Sequence, residues 1–163
     1  MRAHRRLLIA PLLLALVGCG DAGVPVNTRT LQAAARRWRE ANIGDYDLEW
    51  ASGGNRVGRY KVNVRGGKVR RILSVLNDGR EVEAKPGDMS FYGVEGLFRV
   101  VEEELDQATA DAPFDQPKGT KVVLRFTPDP KLGYPRSYRR DVYGAHLRLS
   151  IDVLNFTPNP STK

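Results

Sequence analysis

Two stretches of the chain repeat apolar residues at the helical period, and most of the others alternate at the period of a strand. In residues 30–42, Leu31, Ala34, Ala35 and Trp38 recur at i, i+3, i+4 and i+7, with Arg36, Arg37, Arg39 and Glu40 elsewhere on the wheel. That spacing predicts a helix with one buried stripe. Asn27 or Thr28 can cap its start, and Gly44 can end it. Residues 94–110 give the stronger pattern. Val94, Leu97, Phe98, Val101, Leu105 and Ala108 form one stripe, and the acids at 102–104 are assigned to the helix surface.

Elsewhere the period is two. Residues 46–50 form a short strand candidate. Residues 59–65 and 68–75 flank Gly66-Gly67, a two-residue hairpin signal because glycine accepts the positive φ of a type I′ turn. Setting Arg65 opposite Lys68 places Val64 opposite Val69 and Tyr60 opposite Leu73, and leaves Arg71 on the apolar face opposite Val62. Asp78-Gly79 marks a second turn, with Val75 opposite Val82. Residues 121–126, 137–142 and 146–156 complete the strands, the last two joined around Gly144. Short connections imply antiparallel pairing. The expected fold is α+β, with two helices built around Trp38 and Leu97/Phe98 on one antiparallel sheet of about six strands.

The first residues follow another logic. Arg2, Arg5 and Arg6 precede an apolar run at 7–17, and the segment ends in Leu16-Val17-Gly18-Cys19. A charged start, an apolar middle too short to span a bilayer and a small residue before a cysteine make a signal peptide. The cysteine makes the junction resemble a lipoprotein lipobox, with Cys19 as the lipidated residue. The domain plan is then a signal at 1–18, a tether at 19–29, one α+β domain at 30–156 and a disordered tail at 157–163. The exported chain has 145 of the 163 residues, because 18 leave with the signal. The expected location is the cell envelope, on the periplasmic or extracytoplasmic side of a membrane that holds the lipid.

Composition narrows the chemistry. With one Cys and two His in the whole chain, an internal disulfide and a multi-His metal centre are excluded, and no metal or cofactor is expected. The formal charge of +7 falls to +4 when three Arg leave with the signal. An exported chain with no aromatic residues interleaved in a basic motif is not read as a nucleic-acid binder.

Several of these residues occur in an order that resembles a known family. They are Leu31-x-x-Ala34 with Trp38, then Tyr46, Val62-x-Val64 with Gly67-Lys68-Val69, then Val94-Glu95-Gly96-Leu97-Phe98, and finally Gly133-Tyr134-Pro135. The set resembles a bacterial envelope lipoprotein family, a domain of unknown function (family 6174), over roughly residues 31–156. The resemblance implies export, lipid anchoring and an α+β domain, and it implies no enzyme activity. Family members often carry a Cys-x-Cys pair where this chain has Ala51-Ser52-Gly53-Gly54. They often carry an acidic cluster where it has Tyr143-Gly144-Ala145-His146 beside Asp141 and Asp152. No redox, disulfide or cation role is carried over.

Candidate sites are then few. Residues 56–71 hold seven basic residues and no acid, and Arg59, Lys61, Arg65, Lys68 and Arg70 fall opposite the valines. Such a stripe suits anionic lipid or a cell-wall polymer, although Glu81 and Glu83 project to the same face and charge on an exposed sheet face is the ordinary case. Asp129, Tyr134 and Tyr138, in and beside a Pro/Gly-rich connection, are candidates for a sugar or peptide groove, against a plain turn with Tyr134 on the core edge. His146 with Ser137 and Asp141 makes a triad only on paper, since no nucleophile elbow accompanies it. The catalytic set is therefore empty. The sequence reading is a noncatalytic, lipid-anchored binding or envelope-maintenance module of unidentified protein partner. The alternatives are an enzyme or enzyme inhibitor acting on cell-wall material, and a structural anchor.

Overall fold

A computed structural model describes residues 23–159; the predicted signal segment, Cys19 and residues 160–163 lie outside them. The chain begins with a two-residue strand β1 (Val24–Pro25), followed by helix α1 (Thr28–Ala41). Asn27 caps α1: its Oδ1 accepts from the Thr30 N–H at 2.9 Å, and the Thr30 hydroxyl accepts from the Asn27 N–H at 3.1 Å. The helix ends two residues earlier than glycine placement suggests. Asn42 takes the left-handed conformation, with φ 47°, which asparagine tolerates better than most residues. Leu31, Ala34 and Trp38 form the buried stripe, as the periodicity predicts.

Four strands follow, β2 (Tyr46–Gly54), β3 (Gly58–Arg65), β4 (Lys68–Val75) and β5 (Glu81–Glu83). A 3-10 turn at Met89–Tyr92 leads into α2 (Val94–Thr109), and three strands finish the domain, β6 (Val122–Pro128), β7 (Pro135–Val142) and β8 (Leu147–Pro158). Among the described residues one sheet holds every strand, in the order β1-β6-β7-β8-β2-β3-β4-β5, and every pair is antiparallel. The α+β expectation holds, but the sheet has eight strands where about six were expected. The short edge strands account for the difference, since two or three residues carry no readable alternation. β1 lies inside the segment read as a tether, and Val26 continues it, donating to the Leu124 carbonyl at 3.1 Å. At the other terminus β8 runs to Pro158, and the Asn159 N–H donates to the Asp45 carbonyl at 2.8 Å. The sheet thus claims the start of the segment read as a tail.

Both helices cover one face of the sheet. Tyr46, Ile72, Val94, Leu97, Phe126 and Tyr138 are fully buried between the layers. Gly96 of α2 lies so close to the Phe91 backbone that any Cβ there would overlap it. Among the described residues, no helix is long and apolar enough to cross a membrane.

The β3–β4 hairpin corrects the expected register. Arg65 pairs with Lys68 and Val64 with Val69, as anticipated, but Asn63 pairs with Arg71 and Tyr60 with Ser74. Arg70 is the extra residue of a β-bulge. One inserted residue flips every later side chain to the other face. Arg71 therefore leaves the apolar face, Ile72 takes its place with no exposed surface, and Leu73 turns outward. The shift propagates, so that Val75 meets Glu81 and Ser74 meets Val82.

Candidate functional site

The face of the sheet away from the helices has no covering layer among the described residues, and its alternate positions are polar. Neighbouring strands place opposite charges side by side. Arg59 reaches Glu49 at 2.6 Å, Lys61 reaches Glu81 at 2.6 Å, Arg65 reaches Asp47 at 3.1 Å and Arg71 meets Glu83 at 4.0 Å. Across β7 and β8 the ladder continues with Arg139–Asp152 at 2.6 Å and Arg148–Asp141 at 3.4 Å. Asp47 also accepts from the amides of Asn63 at 2.7 Å and Asn159 at 2.9 Å. Its burial disfavours the charge, but these amides and Arg65 outweigh it and hold the carboxyl below its ordinary range. Lys61 is raised by its hydrogen bond to Glu81. On this face lies a depression of about 580 Å³, lined by Asp47, Glu49, Lys61, Asn63, Arg71 and Asn155, with Leu48, Val62 and Leu73 as its apolar residues.

The basic hairpin is thus partly neutralised by its neighbours. Arg59, Lys61 and Arg65 belong to the ion-pair ladder, whereas Lys68 and Arg70 make no ion pair among the described residues, and the Arg70 guanidinium donates to the Arg65 carbonyl at 3.4 Å. The connection at 129–134 is not a groove built by its aromatic residues. Asp129 closes the turn instead, its Oδ1 accepting from the N–H groups of Lys131 at 2.9 Å and Leu132 at 2.7 Å. Tyr134 is 9% exposed and stacks on Phe156 with centroids 4.6 Å apart, while Tyr138 is fully buried. Strand alternation on β7 points Tyr138 at the helices, so the two rings pack in the core and do not rim a site. His146 is exposed in the turn before β8, and its backbone carbonyl accepts from the Asn55 amide at 3.3 Å. Among the described residues, no group of His, Cys, Asp and Glu is arranged to hold a metal. Cys19 lies outside the described residues.

Two carboxylates that sequence reasoning passed over join the layers. Glu95 opens α2 and accepts from Trp38 Nε1 at 2.9 Å and from the Tyr46 hydroxyl at 3.0 Å, while that hydroxyl accepts from the Val94 N–H at 2.9 Å. One residue of α1, one of β2 and the first turn of α2 meet there. Burial, reinforced by the Glu95 charge, pushes the Tyr46 phenol far above its ordinary value. Glu104 accepts from the Tyr138 hydroxyl at 3.0 Å and from Arg140 at 2.8 Å, and Arg140 lies 4.6 Å from the Phe114 ring centroid. Tyr138 is raised by burial and then by Glu104. The signal for Glu104 was its spacing: with Leu97, Val101 and Ala108 it falls on the buried stripe, and its acidic type alone sent it to the surface. Between α1 and α2 runs a second groove of about 740 Å³, with Leu31, Ala35, Trp38, Phe98 and Leu105 inside and charged side chains at its rim.

Comparison with curated proteins finds no match. The profile of a family of unknown function, DUF6174, matches residues 30–143, from the first turn of α1 to just past the end of β7. A match over that much of the chain, including both helices and the Glu95 and Glu104 junctions, is membership: the chain belongs to the family of unknown function DUF6174.

Proposed function

We propose that this chain is a lipid-anchored envelope protein and that its uncovered sheet face is a noncatalytic binding surface for a polar envelope component. One observation carries the reading: the depression on that face is bounded by carboxylates, cations and amides, with Leu48, Val62 and Leu73 beside them. Such a set suits a ligand that itself presents carboxylate, ammonium and amide groups, and cell-wall glycopeptide has this chemistry. The charged forms of Asp47 and Lys61 are both favoured by their partners. That suits recognition, whereas acid–base work at neutral pH needs a group whose charged and neutral forms are both within reach. The anchor part rests on Leu16-Val17-Gly18-Cys19, and β1 begins five positions after that cysteine.

The two parts are tested separately. Cys19→Ala is expected to abolish lipid incorporation and cleavage after residue 18; unchanged processing and membrane retention would sink the anchor. For the binding part, purified wall sacculi are mixed with the mature protein and sedimented. The protein is expected to pellet, and Arg71→Glu together with Lys61→Glu is expected to leave it in solution. A wild-type protein that stays in the supernatant refutes the binding surface.

A further inference from the structure

The strand register assigns ends to the sheet. Pro128 pairs with Pro135, Tyr46 with Pro158 and Arg65 with Lys68. The β6–β7 connection, the start of β2, the end of β8 and the β3–β4 turn therefore share one end. α1 delivers the chain to that end, and the Gly67 N–H there donates to the Gly44 carbonyl at 2.8 Å. Gly133 of the β6–β7 connection lies against Arg37, where a Cβ would come within 2.8 Å of the Arg37 Cβ, and the Arg37 guanidinium donates to the Pro130 carbonyl at 3.3 Å. β1 pairs Val24 with Phe126, so the chain also enters the fold at this end. Cys19 lies five positions before Val24, a reach of at most about 18 Å.

This end is where unmatched positive charge collects. Arg36, Arg37 and Arg39 of α1, Lys131 of the β6–β7 connection, Arg136 at the start of β7, and Lys68 and Arg70 of the hairpin are all exposed. None makes an ion pair among the described residues. Arg36 and Arg39 also rim the groove between the helices, across from Glu95 and Glu102. The carboxylates at this end are Glu40, Asp45, Asp47, Asp129 and Glu95, the last accepting from Trp38 and Tyr46. Asp45 accepts from the Gly66 N–H, Asp47 is held by Arg65 and two amides, and Asp129 caps its own turn. At the opposite end most cations are matched, with Arg80 on Asp78 at 2.6 Å, Lys118 on Asp111 at 3.1 Å and Lys121 over the Tyr143 ring at 4.6 Å, while Arg29 in the first turn of α1 and Arg56 make no ion pair among the described residues.

We infer that this end is a membrane-docking surface for anionic lipid headgroups, working with the lipid on Cys19. The inference rests on the anchor reading above and adds an orientation to it. A lipid chain and a basic patch are the two signals that together give stable attachment. Here the chain enters the fold at the end of the sheet that carries the patch, five positions after Cys19. Docked this way, the strands rise from the bilayer, and the uncovered face with its depression opens sideways into the envelope.

The test is a lysine footprint of the full mature lipoprotein on vesicles. Each lysine is acetylated and its rate read by mass spectrometry, on phosphatidylcholine alone and with roughly one-third phosphatidylglycerol. On the anionic vesicles Lys131 and Lys68 are expected to be protected about fivefold, the factor that one basic residue contributes near such a surface. Lys118 and Lys121 are expected to be unchanged. Salt at about 0.5 M, where screening acts within a few ångströms, is expected to remove the protection, and so is Arg36→Gln with Arg37→Gln and Arg39→Gln. Equal protection at both ends, protection on neutral vesicles, or no response to salt overturns the inference. If mass analysis finds no lipid on Cys19, the anchor reading fails by itself. The footprint is then taken on the chain coupled through Cys19 to a maleimide lipid, with the same outcomes.

Discussion

Tyr46→Phe removes one oxygen from the place where α1, β2 and α2 meet. The ring is fully buried, so the apolar packing stays and the hydroxyl is the whole perturbation. Two hydrogen bonds go, one to the Glu95 carboxylate at 3.0 Å and one from the Val94 N–H at 2.9 Å. Glu95 is an exposed residue that keeps the Trp38 indole, so its loss sits near the lower end for a charged acceptor, about 1.5 kcal/mol. The Val94 N–H is buried and is left without a partner, which costs about 1–3 kcal/mol more. The sum is about 3 kcal/mol. Tyr138→Phe is the internal comparison, because its hydroxyl bonds only to Glu104, which keeps Arg140. It should cost about 1.5 kcal/mol. The pH limb supplies a second readout. The Tyr46 phenol is raised in the folded state, so its contribution is fully present below the unfolded value near 10 and is lost as pH rises above it. Between pH 8 and pH 11 each such tyrosine removes about 1.4 kcal/mol from wild-type stability. Tyr46→Phe should show a drop smaller by that amount. Urea titration followed by the fluorescence of the buried Trp38 and Trp50 measures both effects. A Phe variant within about 1 kcal/mol of wild type at pH 7, with the full alkaline drop, would refute the claim that this hydroxyl joins the layers.

Glu104→Ala leaves Arg140, 11% exposed at its side chain, as a buried unpaired cation, and should cost about 3–5 kcal/mol in the same titration; adding Arg140→Met should restore part of it. Gly133→Ala places a Cβ on a residue with φ +84° and against the Ala34 carbonyl oxygen. It should cost more than about 2 kcal/mol and raise hydrogen exchange at the Gly133 and Asp129 amides as the loop lifts from α1. Asp47 has a lowered pKa, so its contribution is present above the unfolded value near 4 and is lost as pH falls through the lower folded value. Asp47→Asn should accordingly flatten the acid limb of thermal stability measured from pH 5 downward, and an unchanged limb would remove Asp47 from that account.

What the sequence shows of this fold follows from how local each signal is. The stripes of α1 and α2 and the Gly66-Gly67 turn are local, and all three are where the pattern puts them. The bulge at Arg70 is a property of two strands together, and alternation along one strand has no place for an extra residue. Arg71 is consequently an intruder among valines in the sequence and an outer-face partner of Glu83 in the structure. The pairing of β2 with β8 joins Tyr46 to Pro158, and no local pattern reports so distant a neighbour. Glu104 and Glu95 illustrate a different limit. Their positions on the helices are legible, but their partners Arg140, Tyr138, Trp38 and Tyr46 come from other elements, and without partners an acid reads as surface.

Charge density along the chain and charge density in space diverge for the same reason. Residues 56–71 carry seven cations and no acid. Yet β2 and β5 flank that hairpin and bring Asp47, Glu49, Glu81 and Glu83 to its outer face. The basic residues of α1 are fewer in sequence, and their side chains form no ion pair among the described residues. A surface ion pair contributes little to stability, but it cancels its cation as seen from a distance. Anionic lipid should therefore discriminate between the two sets. Arg59→Gln with Lys61→Gln removes two cations whose partners already offset them, and should leave the lysine footprint on anionic vesicles as it was. Arg37→Gln with Arg39→Gln removes the same number of charges and should remove most of the protection at Lys131. If the hairpin pair has the larger effect, the ladder on the outer face, and not the end that carries Lys131, meets the membrane.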